Sequence, residues 1–82
     1  MEKLLHFLLE NIVDHPEDIV INQYENDYGV TVLEASVHPE DMGKVIGKEG
    51  KIISAIRKIL KVKAIKSGIH FQFTLLESAP LS

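Results

Sequence analysis

The stretch Val45-Ile46-Gly47-Lys48-Glu49-Gly50-Lys51-Ile52-Ile53 decides the fold of this chain. Two glycines, separated by two residues, lie between a short apolar turn and a long run with helical periodicity. Glycine adopts backbone angles that other residues avoid, and it lets another part of the chain come close. The start of a helix presents N–H groups without acceptors in the helix, at the positive end of its dipole. The stretch therefore predicts a tight turn that opens a helix and suits a phosphate.

The residues after the turn predict one long helix and one strand. Gly68 is a plausible end for the helix, and residues 69–76 alternate apolar and polar side chains as a half-buried strand does. The helix is expected to bury one apolar stripe, which consists of Ile52, Ile53, Ile56, Ile59 and Leu60.

The residues before the turn predict a helix, a hairpin and a short helix. Residues 2–13 have the apolar spacing of a helix that packs on a core. Residues 19–24 and 30–37 are rich in β-branched side chains and predict two strands, joined by a polar turn over 25–29. Pro39 and the two acids that follow it predict the start of a helix of about two turns.

The predicted order of elements is helix, strand, strand, helix, helix, strand. The first two strands should pair as a hairpin, and a crossover through two helices normally returns the last strand parallel to its neighbour. We therefore expect an α+β fold with a three-stranded mixed sheet and three helices on one face. A chain of 82 residues is long enough for one domain, which we place at residues 1–76, with a flexible tail at 77–82.

The charge is divided between the two halves of the chain. Residues 1–42 carry one Lys and ten acids, whereas residues 43–82 carry eight Lys or Arg and two acids. The net charge of the whole chain is −3, but the basic half contains the glycine turn. Such a division indicates a polyanionic partner more strongly than the total charge does.

Several other classes of protein do not fit the sequence. The chain has no cysteine, which excludes disulfides and thiolate zinc sites, and it has no apolar run of the about 20 residues that a membrane helix needs. Its apolar start is interrupted by acids and is not interpreted as a signal peptide. The glycine spacing does not match a P-loop, and no strand runs directly into the turn as a Rossmann fingerprint requires. We expect no catalytic residue, cofactor or metal.

The histidines do not show the spacing of a metal-ligand set. His6, His15, His38 and His70 are predicted on separate elements without paired ligand spacing, so each is interpreted as a surface or strand residue. The tetrapeptide His-Pro-Glu-Asp occurs at 15–18 and again at 38–41. Four residues are too few to indicate a duplication.

The motif and the element order resemble a known family. An apolar pair, GxxG, two residues and an aliphatic side chain form the pattern of a KH domain, and the order of elements is that of the prokaryotic type II form. Over residues 1–76 the chain is similar to the small stand-alone bacterial KH proteins called KhpA. The resemblance implies a cytoplasmic protein that binds single-stranded RNA and acts as an RNA chaperone in post-transcriptional regulation, with influence on cell length and cell wall growth. It also implies a homodimer, a heterodimer with a larger KH-containing partner of the KhpB family, and no membrane.

The resemblance also assigns roles to residues of the turn. Gly47 and Gly50 would make the sharp bend, with Lys48 and Glu49 at its tip. An apolar groove and flanking cations would complete the RNA-binding set, through Ile46, Ile53, Lys44 and Lys51. Glu49 departs from what a phosphate backbone favours, because its carboxylate repels the strand unless it points away or pairs with a lysine.

Two classes of function remain open from the residues. The first is an RNA-binding module without catalysis, which the division of charge favours. The second is a structural or adaptor protein that uses the fold mainly for protein contacts and binds RNA weakly, which Glu49 and the net negative charge favour. A dimer contact is predicted beside the main stripe of the long helix, at Ala55, Val62 and Ile65.

Overall fold

A computed structural model describes residues 1–77 and has the predicted order of elements. The helices and strands in chain order are α1 (Glu2–Glu10), β1 (Val20–Glu25), β2 (Thr31–Ser36), α2 (Met42–Ile46), α3 (Lys51–Ser67) and β3 (Phe71–Leu75). Apart from Glu77, the tail predicted at 77–82 lies outside the described residues. Within the described part, no helix is both long and apolar enough to cross a membrane.

The sheet is three-stranded and mixed, in the order β1-β2-β3. β1 and β2 are antiparallel, with Val20 opposite Ser36, while β2 and β3 are parallel, with Leu33 opposite Phe73. The turn between β1 and β2 is held by Asn26, whose Oδ1 accepts the N–H groups of Tyr28 and Val30 at 2.9 and 3.0 Å. The predicted hairpin and the predicted parallel return are therefore both confirmed.

The core lies between the sheet and the helices. The buried apolar side chains that cluster there come from α1 and its end, β2, α2, α3 and β3: Leu5, Leu9, Val13, Leu33, Ala35, Val37, Val45, Ile56, Leu60 and Phe73. All three helices contribute to one core against one face of the sheet, which confirms the expected α+β architecture.

The apolar stripe of α3 differs from the prediction at two of its five residues. Ile56 and Leu60 are buried as expected, and Ile53 is half-buried against the core. In contrast, Ile52 and Ile59 keep 39% and 43% of their surface exposed. The stripe that faces the core consists of Ile53, Ile56, Leu60 and Ala64, which are three, four and four residues apart.

Helix ends explain the remaining differences in boundaries. α1 ends at Glu10, three residues before the predicted end at residue 13. Asn11 caps the helix, and its side-chain N–H donates to the carbonyl of Phe7 at 2.7 Å. Pro39–Asp41 forms a 3-10 turn, so α2 begins only at Met42. α3 ends where Gly68 adopts φ 68°, which is the left-handed conformation expected of a glycine after a helix.

We predict that Ile56→Ala destabilises the domain by about 2–5 kcal/mol, because it removes buried methylene groups and leaves a cavity in the core. This loss is a large share of the unfolding free energy of a typical domain, which is about 5–15 kcal/mol. Urea denaturation followed by circular dichroism measures the change. The control is Phe7→Ala, which truncates an exposed apolar side chain on α1 and should cost about 1 kcal/mol or less. Equal losses in the two variants would contradict this assignment of the buried face.

Candidate nucleic-acid interface

The turn between α2 and α3 depends on Gly47. This residue has φ 77° and ψ 172°, and its N–H donates to the carbonyl of Gly43 at 2.8 Å. A Cβ at this position would lie 2.2 Å from Cγ1 and 2.9 Å from the backbone nitrogen of Ile52. Both the angles and the space therefore require glycine, and the turn packs directly against Ile52 in the first turn of α3.

Gly50 serves the same turn in a different way. It has φ 72°, but a Cβ there would meet no atom within 4 Å. Its N–H donates to the carbonyl of Gly47 at 3.1 Å, which closes the turn over Lys48 and Glu49. Glu49 between them also has a positive φ of 58°, an uncommon conformation for a residue with a side chain. Three of the four residues of the turn, Gly47, Glu49 and Gly50, thus have a positive φ.

The side chains of the tip are exposed, and Glu49 faces Lys51. Glu49 Oε2 lies 4.0 Å from Lys51 Nζ, and both side chains are largely exposed to solvent. Exposed pairs of this kind contribute about 0–1 kcal/mol, so the contact holds the carboxylate only weakly. Lys48 is exposed at the tip. The carboxylate that departs from the expected pattern therefore has a cation beside it.

Lys44 forms an ion pair across the domain. Its ammonium group contacts the carboxylate of Asp14, in the connection between α1 and β1. This hydrogen bond raises the pKa of Lys44, and the opposite effect of burial is smaller. The family resemblance implies a position for Lys44 beside a phosphate, and in the structure its ammonium group lies on an acid thirty residues earlier in the chain. To reach a phosphate, Lys44 must leave Asp14.

The apolar side chains beside the turn come from both helices. Ile46, the last residue of α2, is exposed directly before Gly47. Ile53 lies in the first turn of α3 and packs partly against the core. An aliphatic surface of this kind, next to the start of α3, can receive the face of a base while the positive end of the helix dipole attracts its phosphate.

Arg57 extends this surface, and the sequence analysis did not include it. Arg57 lies one turn after Ile53 on α3 and donates from Nη1 to the carbonyl of Phe73 at 2.6 Å. Its guanidinium carbon lies 5.2 Å from the centre of the Phe73 ring. Because β3 is an edge strand, this contact fixes a cation at the border of the sheet. The sequence could have indicated Arg57, because a residue four positions after Ile53 lies next to it on the surface of a helix.

The residues predicted for a dimer contact lie on the side of α3 away from the core. Ala55 is exposed, and Val62 and Ile65 expose 55% and 68% of their surface. Together with Ile52 and Ile59 they form an apolar α3 face, which begins beside the buried Ile56, four residues after Ile52, and extends round the helix to Ile65 on the far side.

The sheet, the three helices and the GxxG turn between α2 and α3 together define a type II KH domain. A family model described as KhpA/KhpB, KH domain, matches residues 2–75. The chain belongs to this KhpA/KhpB KH-domain family.

Three relatives, each named RNA-binding protein KhpA, show how far the similarity extends. The protein from Clostridium perfringens is 46% identical over 66 residues, which cover 80% of this chain and 87% of the relative. The protein from Listeria monocytogenes is 40% identical over 77 residues, covering 94% of this chain and the whole of the relative. The protein from Chlamydia pneumoniae is 34% identical over 77 residues, covering 94% of this chain and 97% of the relative.

We predict that Gly47→Ala and Gly50→Ala have different effects on stability. Both place a side chain at a positive φ, which costs roughly 1–2 kcal/mol. Gly47→Ala also forces a Cβ against the backbone of Ile52, so its unfolding free energy should fall further by about 1–3 kcal/mol, as in overpacked cores. Urea denaturation of both variants measures the difference. A Gly50→Ala variant as unstable as Gly47→Ala would contradict the geometry of the turn.

Proposed function

We propose that this protein binds single-stranded RNA without catalysis, through the turn from Gly47 to Gly50 and the apolar surface beside it. The observation that carries the proposal is the close approach at Gly47, where no side chain fits between the turn and Ile52. This approach sets the turn at the start of α3, where the positive end of the helix dipole favours a phosphate, while the N–H groups of Gly50 and Lys51 donate to Gly47 and Lys48 within the turn. The relatives named as RNA-binding proteins support the same function.

In this proposal the charged side chains contact the phosphates of the RNA and the apolar side chains contact its bases. Lys48, Lys51 and Lys44 would attract the phosphates, while Ile46 and Ile53 would receive the bases. A KH groove holds about four nucleotides. Arg57, fixed on the edge of β3, is placed to contact a base or a phosphate beyond Ile53. Only five aromatic residues are present in the chain, so stacking on aromatic rings contributes little to this proposal.

The biological role and location rest on the family resemblance. On that basis we propose a cytoplasmic RNA chaperone that acts in post-transcriptional regulation and is linked to cell length and cell wall growth. The resemblance is also the reason to propose a heterodimer with a larger KH-containing protein of the KhpB family.

Self-association is proposed through the apolar α3 face. Five apolar side chains at the spacing of helix turns are exposed there, and a two-fold contact would bring the same face from each chain together. Joining two weak RNA sites raises the effective concentration of the second without any new contact to RNA.

A second candidate function is that of an adaptor that binds other proteins and binds RNA only weakly. The observations that favour it are the apolar α3 face and the two lysines already paired, Lys44 with Asp14 and Lys51 with Glu49. A titration with RNA separates the two functions, because an adaptor would bind RNA only weakly through the turn.

We predict that Lys48→Asp combined with Glu49→Asp abolishes RNA binding while the fold is retained. Both side chains are exposed, and aspartate tolerates the left-handed conformation at position 49 better than most residues. Fluorescence anisotropy with a short single-stranded RNA measures the loss. For the parent protein, neutralising about three phosphates should give a log–log salt slope near −2, at about −0.7 for each.

The control for that variant is Lys3→Asp on α1, which changes the charge equally away from the turn. It should bind RNA nearly as well as the parent, and circular dichroism should show all three proteins folded. If the double variant binds like the parent, the turn is not the RNA site, and the adaptor function gains support.

We predict that Asp14→Asn strengthens RNA binding by about 1.4- to 5-fold, because it releases Lys44 from an exposed ion pair of about 0.2–1 kcal/mol. The same titration measures the gain. Asp27→Asn, in the turn between β1 and β2, makes the same change of charge elsewhere and should have a smaller effect. An equal gain in both variants would mean that net charge, rather than Lys44, is responsible.

We predict that the parent protein is a dimer at micromolar concentration and that Val62→Asp makes it monomeric. A buried aspartate without a partner would oppose contact between two apolar faces. Light scattering coupled to size-exclusion chromatography measures the mass of both proteins. A monomeric parent would refute self-association, and a dimeric Val62→Asp variant would move the contact away from the α3 face.

A further inference from the structure

The two copies of His-Pro-Glu-Asp adopt the same local structure and meet in the fold. In each copy the histidine precedes a 3-10 turn of Pro-Glu-Asp, and the aspartate N–H donates to the histidine carbonyl, at 3.0 Å in the first copy and 2.8 Å in the second. The ring of His15 stacks on the ring of His38, with centres 4.0 Å apart and planes 16° from parallel. The RNA site proposed above makes no use of this pair.

The aspartate of the second copy orients the histidine of the first. Asp41 is only 1% exposed, and its Oδ2 lies 3.0 Å from the backbone nitrogen and 3.1 Å from the ring Nδ1 of His15. Burial on its own raises the pKa of Asp41, but hydrogen bonding from the backbone of Asp14 and from His15 more than offsets it, so the pKa is lowered. The 3.1 Å contact joins Nδ1 to a carboxylate oxygen, which accepts, so the proton of the neutral His15 ring lies on Nδ1 and its lone pair on Nε2.

Asp41 is also incompletely satisfied. Its Oδ1 has no partner within hydrogen-bond geometry among residues 1–77, although the backbone of Asp14 contributes to the lowered pKa. A buried carboxylate of this kind is costly unless something nearby carries positive charge. A cation bound by His15 would supply that charge through the ring that Asp41 already holds.

Glu40 completes a set of three donors. One ligand atom from each of His15, His38 and Glu40 lies within 4.8 Å of the other two. Both histidines are half-buried and Glu40 is exposed, so the set is open to solvent on one side. Imidazole nitrogen and carboxylate oxygen are ligands that Zn²⁺ accepts, and a histidine held by a carboxylate through its other nitrogen is the usual arrangement around this ion.

We propose that His15, His38 and Glu40 bind a divalent transition metal ion such as Zn²⁺, with Asp41 as the residue that positions His15. Three protein ligands leave a fourth position of the tetrahedron for water. The bound ion would join the connection before β1 to the connection before α2, the helix that leads into Gly47.

The geometry also sets a limit on affinity. Zn–N bonds of about 2.0–2.1 Å require the stacked rings to turn apart and the three donors to close together. His38 Nδ1 accepts the N–H of Glu40 at 3.0 Å, so the neutral ring carries its proton on Nε2. Coordination by either nitrogen must break that hydrogen bond. We therefore expect an affinity in the micromolar range rather than that of a preformed structural zinc site.

The test uses the full chain, treated with chelator and dialysed, and Zn²⁺ alone as the probe. Isothermal titration calorimetry should show one saturable site per chain with micromolar affinity. His15→Gln and His38→Gln should each abolish the saturable step. The matched controls are His6→Gln and His70→Gln, which remove the other two histidines and should leave it unchanged. Circular dichroism verifies that all four variants are folded.

A second measurement does not depend on any variant. In a ¹⁵N–¹H correlation spectrum, Zn²⁺ should shift the backbone amide of Glu40 most strongly, because its hydrogen bond to His38 is lost. The proposal is overturned if no saturable binding is detected, if the His6 and His70 variants lose binding as the His15 and His38 variants do, or if the Glu40 amide does not move at saturation.

Discussion

The contact between Gly47 and Ile52 is the constraint on which the rest of the structure depends. Because no side chain fits at Gly47, Ile52 in the first turn of α3 packs directly on the bend that follows α2. This fixes the rotation of α3 about its own axis. Ile53, Ile56 and Leu60 then face the sheet, and the apolar α3 face, which includes Ile59, is left on the outside. The contact at Gly47 and the packing of Ile53, Ile56 and Leu60 on the core therefore belong to one orientation of the longest helix.

The same rotation decides which cations lie beside the turn. Arg57 follows Ile53 by one turn, so it arrives at the edge of β3 and is fixed on the carbonyl of Phe73. Lys44 and Lys51, in contrast, lie beside acids on the surface, at Asp14 and Glu49. Exposed ion pairs are weak, so a polyanion can replace the acids and these lysines stay available to bind it. The neighbouring acids thus reduce the positive charge of the proposed RNA surface.

Particular residues show how far sequence reasoning reached. Gly47, Gly50 and Gly68 were correctly assigned to turns, because a positive φ is a local property of the backbone that favours glycine. The pairing of the sheet followed from alternation and from connection length, and it was confirmed. The apolar stripe of α3 was wrong at Ile52 and Ile59, because this helix is apolar on two sides and periodicity alone cannot say which side the core takes.

The sequence by itself determined the turns, the order of elements and the position of the GxxG loop, since each depends on residues within a few positions of one another. Only the tertiary structure decided the contacts of Lys44 with Asp14, His15 with Asp41 and Arg57 with Phe73, whose partners are 30, 26 and 16 residues apart. Neither partner of such a pair has a local preference for the other. They meet because the sheet and the helix packing bring their connections together, and that geometry exists only once the whole core has formed.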